Sequence, residues 1–96
     1  MTKKPEKQHI SSLYETILKL KDLEECRKFF DDLCTVSELH AMEQRFEVAL
    51  LLYQGMIYND ILEKTGASSA TISRVNRSLH YGADGYKSVF ARLLDK

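Results

Sequence analysis

No stretch of this 96-residue sequence holds an apolar run near the roughly 20 residues that cross a bilayer. The opening MTKKPEKQHI is basic but lacks the apolar centre of a signal peptide. The chain is therefore expected in the cytoplasm with no membrane partner, and residues 1–10 are expected to form a loose N-terminal arm. Cysteine is scarce. Cys26 and Cys34 are the whole complement, and a chain without an export signal keeps such thiols reduced and partly buried. His9, His40 and His80 are scattered, with none at ligand spacing from a cysteine, so no metal site is expected. Sustained alternation of apolar and polar residues is missing, and with it the pattern of a half-buried strand. Also missing is a nucleophile or acid–base pair with an orienting partner, so the chain is not expected to be an enzyme. Asp31 and Asp32 are most simply a solvated helix end.

Acid is absent where its absence matters most. The chain balances 14 basic against 14 acidic residues, yet no acid occurs from Gly66 to Tyr81, where Arg74, Arg77 and His80 stand. A neutral total does not bar a polyanion partner, because the field that steers binding is local.

What is present is helix after helix. SSLYETILKL places Leu13, Ile17 and Leu20 on one face, with Ser12 and Glu15 as a capping box. DLEECRKFFDDL follows, with Asp22 as cap and Leu23, Cys26, Phe30 and Leu33 on the stripe. TVSELHAMEQRFEVALLLYQG is the longest, opened by a Thr35–Glu38 box. Leu39, Met42, Phe46, Ala49, Leu50 and Tyr53 recur at helical spacing, and Gly55 closes it. Two short patterns flank Gly66, a turn lies between Gly82 and Gly85, and a final helix carries Tyr86, Val89, Phe90 and Leu93. The fold class is all-α, with about six helices in one domain over residues 11–96. So many apolar faces on so short a chain predict an obligate homodimer, because a small monomer core cannot cover them all.

The stretch YNDILEKTGASSATISRVNRSL reads as a helix-turn-helix over residues 58–81. Gly66 supplies the positive φ that a tight turn between crossed helices requires. Ser68 stands where an N-cap belongs. Ala67, Ile72, Val75 and Leu79 point inward, while Ser69, Ala70, Ser73, Arg74 and Arg77 take the other faces. Small residues at the start of the second helix let the backbone approach base edges. Serine and threonine hydroxyls exchange hydrogen bonds there, and an alanine methyl meets the thymine methyl. The DNA-contacting set is thus expected to be Ser68, Ser69, Ala70, Thr71, Ser73, Arg74 and Arg77, on double-stranded DNA. The bland alternative is a packing hairpin with two solvated arginines. Four residues before the glycine, where most such motifs carry alanine, stands Leu62, which predicts an unusual helix crossing.

GASSATISR with SL shortly after, and TVSELHAMEQR leading into a long helix, resemble the Trp repressor family, in particular its YerC/YecD-type members. The resemblance covers Thr35 to Leu79 best. It implies an intertwined Trp-repressor-like homodimer of six-helix chains that presents two recognition helices to successive major grooves. It also implies a transcriptional regulator, expected to be a repressor, on a palindromic operator. The turn between Gly55 and Tyr58 is one residue shorter than the family pattern.

The family's founding member takes L-tryptophan as corepressor. Residue by residue, Thr35 matches the threonine that opens the central helix, Arg45 and Arg74 match the arginines on either side of the indole, and Ser78 matches the serine that holds the amino group. Thr35, Arg45, Arg74 and Ser78 are therefore the implied effector site. Where the tryptophan-binding pattern has glycine after the second arginine, this chain has Val75, whose isopropyl group takes space the ring needs. No cofactor is expected beyond an amino-acid corepressor, and Val75 argues against tryptophan itself. Read from the residues alone, Thr35 is a helix cap and Arg45 an ion-paired or solvated arginine. The competing function is a non-catalytic protein-interaction module that retains the helix-turn-helix fold.

Overall fold

Local capping by Asp22, by Thr35 with Glu38, and by Ser68 sets the starts of three helices. A computed structural model describes residues 6–94, in the order α1 Glu6–Ile17, α2 Leu23–Leu33, α3 Val36–Tyr53, α4 Tyr58–Thr65, α5 Ser69–Tyr81 and α6 Gly85–Leu94. Every element among the described residues is a helix, as expected. Contacts group the chain into two units, one ending at Leu39 and one starting at His40, so the division falls within α3.

In the first unit, the expected start of α1 needs correction. The helix begins at Glu6, so Ser12 lies mid-helix and caps nothing. Glu, Lys and Gln are strong helix formers, and a helix once nucleated propagates through them. Residues 1–5 of the expected N-terminal arm lie outside the described residues. The other end also differs. α1 stops at Ile17, and the N–H groups of Lys19 and Leu20 bond three residues back, to Thr16 and Ile17, so Leu20 is not on its stripe. Asp22 caps α2 as expected, accepting the Glu25 N–H at 2.8 Å. Phe29 meets Phe30 edge-on, with ring centroids 5.5 Å apart. Cys26 and Cys34 are free thiols, each half-buried. No residue of α2 is buried, and its expected stripe residues Leu23 and Leu33 are exposed. Thr35 and Glu38 form the reciprocal box. The Glu38 N–H donates to Thr35 Oγ1 at 3.1 Å and the Thr35 N–H donates to Glu38 Oε1 at 2.8 Å.

The second unit holds the core. Val48, Ala49 and Leu51 of α3 pack with Ile61 of α4, Ala67 of the turn, Ile72 and Val75 of α5, and Phe90 of α6. Phe90 is the hub of an aromatic cluster, with Tyr53, Phe46 and Tyr86 at centroid distances of 5.3, 5.6 and 5.6 Å. These rings are core, although Phe46 and Tyr53 keep exposed edges. α3 ends in a Schellman arrangement around Gly55. The N–H of Met56 reaches the Leu51 carbonyl, the Gly55 N–H reaches Leu52, and Gly55 takes φ +93°. α5 ends at Gly82, where a Cβ would collide with the backbone carbonyl of Ser78. The positive φ of the following turn falls on Asp84, at +68°.

Candidate nucleic-acid interface

Three local devices set the start of α5. Gly66 adopts φ +73° and closes α4 by donating its N–H to the Leu62 carbonyl. Ser68 stays extended and accepts the Thr71 N–H at 3.1 Å. Its hydroxyl also donates to Thr71 Oγ1 at 3.1 Å. The inward positions are filled as the sequence predicts, with Ala67, Ile72, Val75 and Leu79 all buried. Leu62 is half-buried and packs against the edge of this core.

The outward face divides into two groups. Ser69, Ser73 and Arg77, spaced four apart, lie on one exposed row, with Ala70 exposed beside them. Ser68 Oγ accepts the Thr71 N–H and donates to Thr71 Oγ1, so the Ser68 hydroxyl is engaged at the helix start. Thr71 is half-buried and forms part of a cavity wall rather than the outward row.

That cavity joins α3 to α5. It measures about 110 Å³ and is lined by Ala41, Gln44 and Arg45 from α3 and Thr71, Arg74 and Val75 from α5. Arg45 and Arg74, which the family resemblance pairs, both line it. Among the described residues neither is ion-paired; the ion pair found there joins Lys28 to Glu24. Ser78 lies instead on a larger apolar cleft of about 530 Å³ with Phe46, Tyr86, Val89 and Phe90, and the Thr35 hydroxyl is engaged in its own helix cap. Val75 forms one wall of the arginine-lined cavity and is only 2% exposed.

Gln44 was not singled out from the sequence. It stands beside Arg45 and three residues after Ala41, a spacing that puts all three near one face of α3. Its Nε2 donates to the Thr65 carbonyl at 3.4 Å.

Among the described residues, no helix is long and apolar enough to cross a membrane. Nor is there a cluster of three or more His, Cys, Asp or Glu side chains able to hold a metal ion.

Six helices among the described residues, with α4 and α5 joined at a left-handed glycine and the α5 face open to solvent, define a helix-turn-helix protein. The family model described as Trp repressor protein matches residues 8–94, and the chain belongs to that family. It is 52% identical over 84 residues to the uncharacterized protein YerC of Bacillus subtilis strain 168, spanning 88% of this chain and 81% of that protein. A TrpR-like protein from Eubacterium eligens superposes with a TM-score of 0.88 at 56% identity, covering 93% of this chain and 92% of the other. A candidate Trp repressor from Staphylococcus aureus gives 0.86 at 44% identity, covering 96% and 95%. The family is one of regulators rather than enzymes.

Proposed function

We propose that the chain is a sequence-specific DNA-binding transcriptional regulator that represses by occupying a palindromic operator as a homodimer. The observation that carries this reading is the outward face of α5. Ser69, Ala70, Ser73 and Arg77 are exposed on a helix with no acid, held from behind by three buried residues. Small polar groups near a helix start suit base edges in the major groove, and arginine suits guanine or phosphate. The helix N-terminus adds partial positive charge toward a phosphate.

Dimerisation is supported by the apolar surface left open. Leu18 is 85% exposed, Val36 71% and Leu23 66%. Side chains of this size contribute about 1.5–3 kcal/mol each when fully buried, and a second copy would cover them. An effector, in this reading, occupies the cavity between Arg45 and Arg74. Two guanidinium groups suit a carboxylate, and Val75 in the wall takes space that an indole ring would need, which favours an amino-acid-like anion smaller than tryptophan.

Selection of bound duplexes from random DNA, with and without an amino-acid mixture, tests all three parts. The expected result is enrichment of a palindrome with half-sites about one helical turn apart. No enrichment under either condition, together with capture of a protein ligand by the α5 face, would favour an interaction module instead.

A further inference from the structure

We propose that Gln44 and Thr65 are positioning residues that set the angle of the reading helix. The proposal rests on the DNA-binding role given to α5 above. Gly66 permits the turn but does not fix it, because glycine in the left-handed region has many neighbouring conformations open to it. The restraint comes from Thr65. Its hydroxyl donates to the Ile61 carbonyl at 2.7 Å and accepts the Ala67 N–H at 3.1 Å, so one oxygen straddles Gly66. Ala67 is only 2% exposed, and among the described residues its N–H finds no other partner. A buried donor left without a partner is costly, so the turn is held to the geometry that keeps this bond.

The same residue is tied to the core helix. The Thr65 carbonyl accepts from the Gln44 carboxamide, 21 positions earlier in the chain, at 3.4 Å in a half-buried setting. Gln44 also stands in the wall of the cavity that holds Arg45 and Arg74. The tie from α3 to the turn therefore starts beside the proposed effector site. Beyond the turn, the Ser68 cap passes the restraint directly to the first residues of α5.

The test compares wild type with Thr65→Val, Thr65→Ser and Gln44→Leu. Each is measured for affinity to a duplex selected by the wild type, for the salt dependence of that affinity, and for amide exchange at Ala67. Valine keeps the shape of threonine without the hydroxyl, and serine restores the hydroxyl. Thr65→Val and Gln44→Leu are each expected to weaken binding about tenfold with an unchanged salt slope, because the helix is misaimed while the phosphate contacts are retained. Thr65→Ser should bind within about twofold of wild type, and Ala67 exchange should accelerate in Thr65→Val alone of the two Thr65 variants. Wild-type affinity in both Thr65→Val and Gln44→Leu overturns the proposal. If Thr65→Val does not fold, Gln44→Leu, which removes the carboxamide from a half-buried position, decides by the same criterion. If the wild type selects no DNA, the functional reading fails, but the exchange arm still decides whether the Thr65 hydroxyl holds the turn through the Ala67 N–H. Equal Ala67 exchange in wild type and Thr65→Val overturns that hold, and faster exchange in Thr65→Val upholds it.

Discussion

Replacing Val75 by glycine sets two effects of one side chain against each other. Val75 is buried against Ile72 in the core and also walls the Arg45–Arg74 cavity. Losing its burial costs about 1.5–3 kcal/mol. Glycine in a helix interior adds about 0.5 kcal/mol relative to valine. Val75→Gly is therefore expected to lose about 2–3.5 kcal/mol of folding stability, read from urea unfolding at fixed protein concentration. In exchange, the cavity gains the space of the isopropyl group, where an indole ring would otherwise meet the Val75 wall. Calorimetry should then show no tryptophan binding by the wild type and measurable binding by Val75→Gly. Ligand at a hundred times its dissociation constant should return about 2.7 kcal/mol to the variant. Micromolar tryptophan binding by the wild type, worth about −8 kcal/mol, would refute the steric role of Val75. A stability loss well under about 1 kcal/mol would show that Val75 is not buried as described. If neither protein binds any amino acid while wild-type DNA affinity is high, the effector site is wrong and the DNA-binding account stands.

Two glycines separate conformational from steric cost. Gly66→Ala meets nothing within 4 Å, so its loss should be the left-handed penalty of about 1–2 kcal/mol. Gly82→Ala drives a Cβ into the Ser78 carbonyl and should cost more; the reverse order in urea melts would contradict both assignments. The unfolding midpoint should rise with protein concentration, as for dimers without a stable folded monomer, and folded monomers persisting at nanomolar concentration in sedimentation would rule against the dimer. Replacing Ser73 or Ala70 with a bulky residue should change which duplexes are selected, at about 1–3 kcal/mol per affected base pair.

Local chemistry was the most readable part of the sequence. The Asp22 cap, the Thr35–Glu38 box, the turn at Gly66 and the Ser68 cap each need residues within three or four positions of one another, and each is present in the fold. Ser12 failed because a capping box is a pattern that a continuing helix overrides. The inward row of α5 was readable because Ile72, Val75 and Leu79 share one side of a helix whose other faces are small or charged. The stripe of α2 was readable as a stripe but not as buried, since periodicity says which side is apolar and not what covers it. The pairing of Arg45 with Arg74 came from family resemblance, and both do line one cavity. The Gln44–Thr65 bond was invisible, because nothing local links a glutamine in mid-helix to a carbonyl 21 residues on.

The central claim is that α5 lies in a DNA groove, and the salt dependence of duplex binding tests it most directly. Wild type and Arg77→Ala would be titrated with a selected duplex at several salt concentrations. Phosphate contacts release counterions, so log affinity should fall linearly with log salt, and Arg77→Ala should weaken all sequences and lower the slope by about 1. Wild-type binding that does not change with salt, or an Arg77→Ala variant with unaltered affinity and slope, would contradict the placement of this helix against DNA.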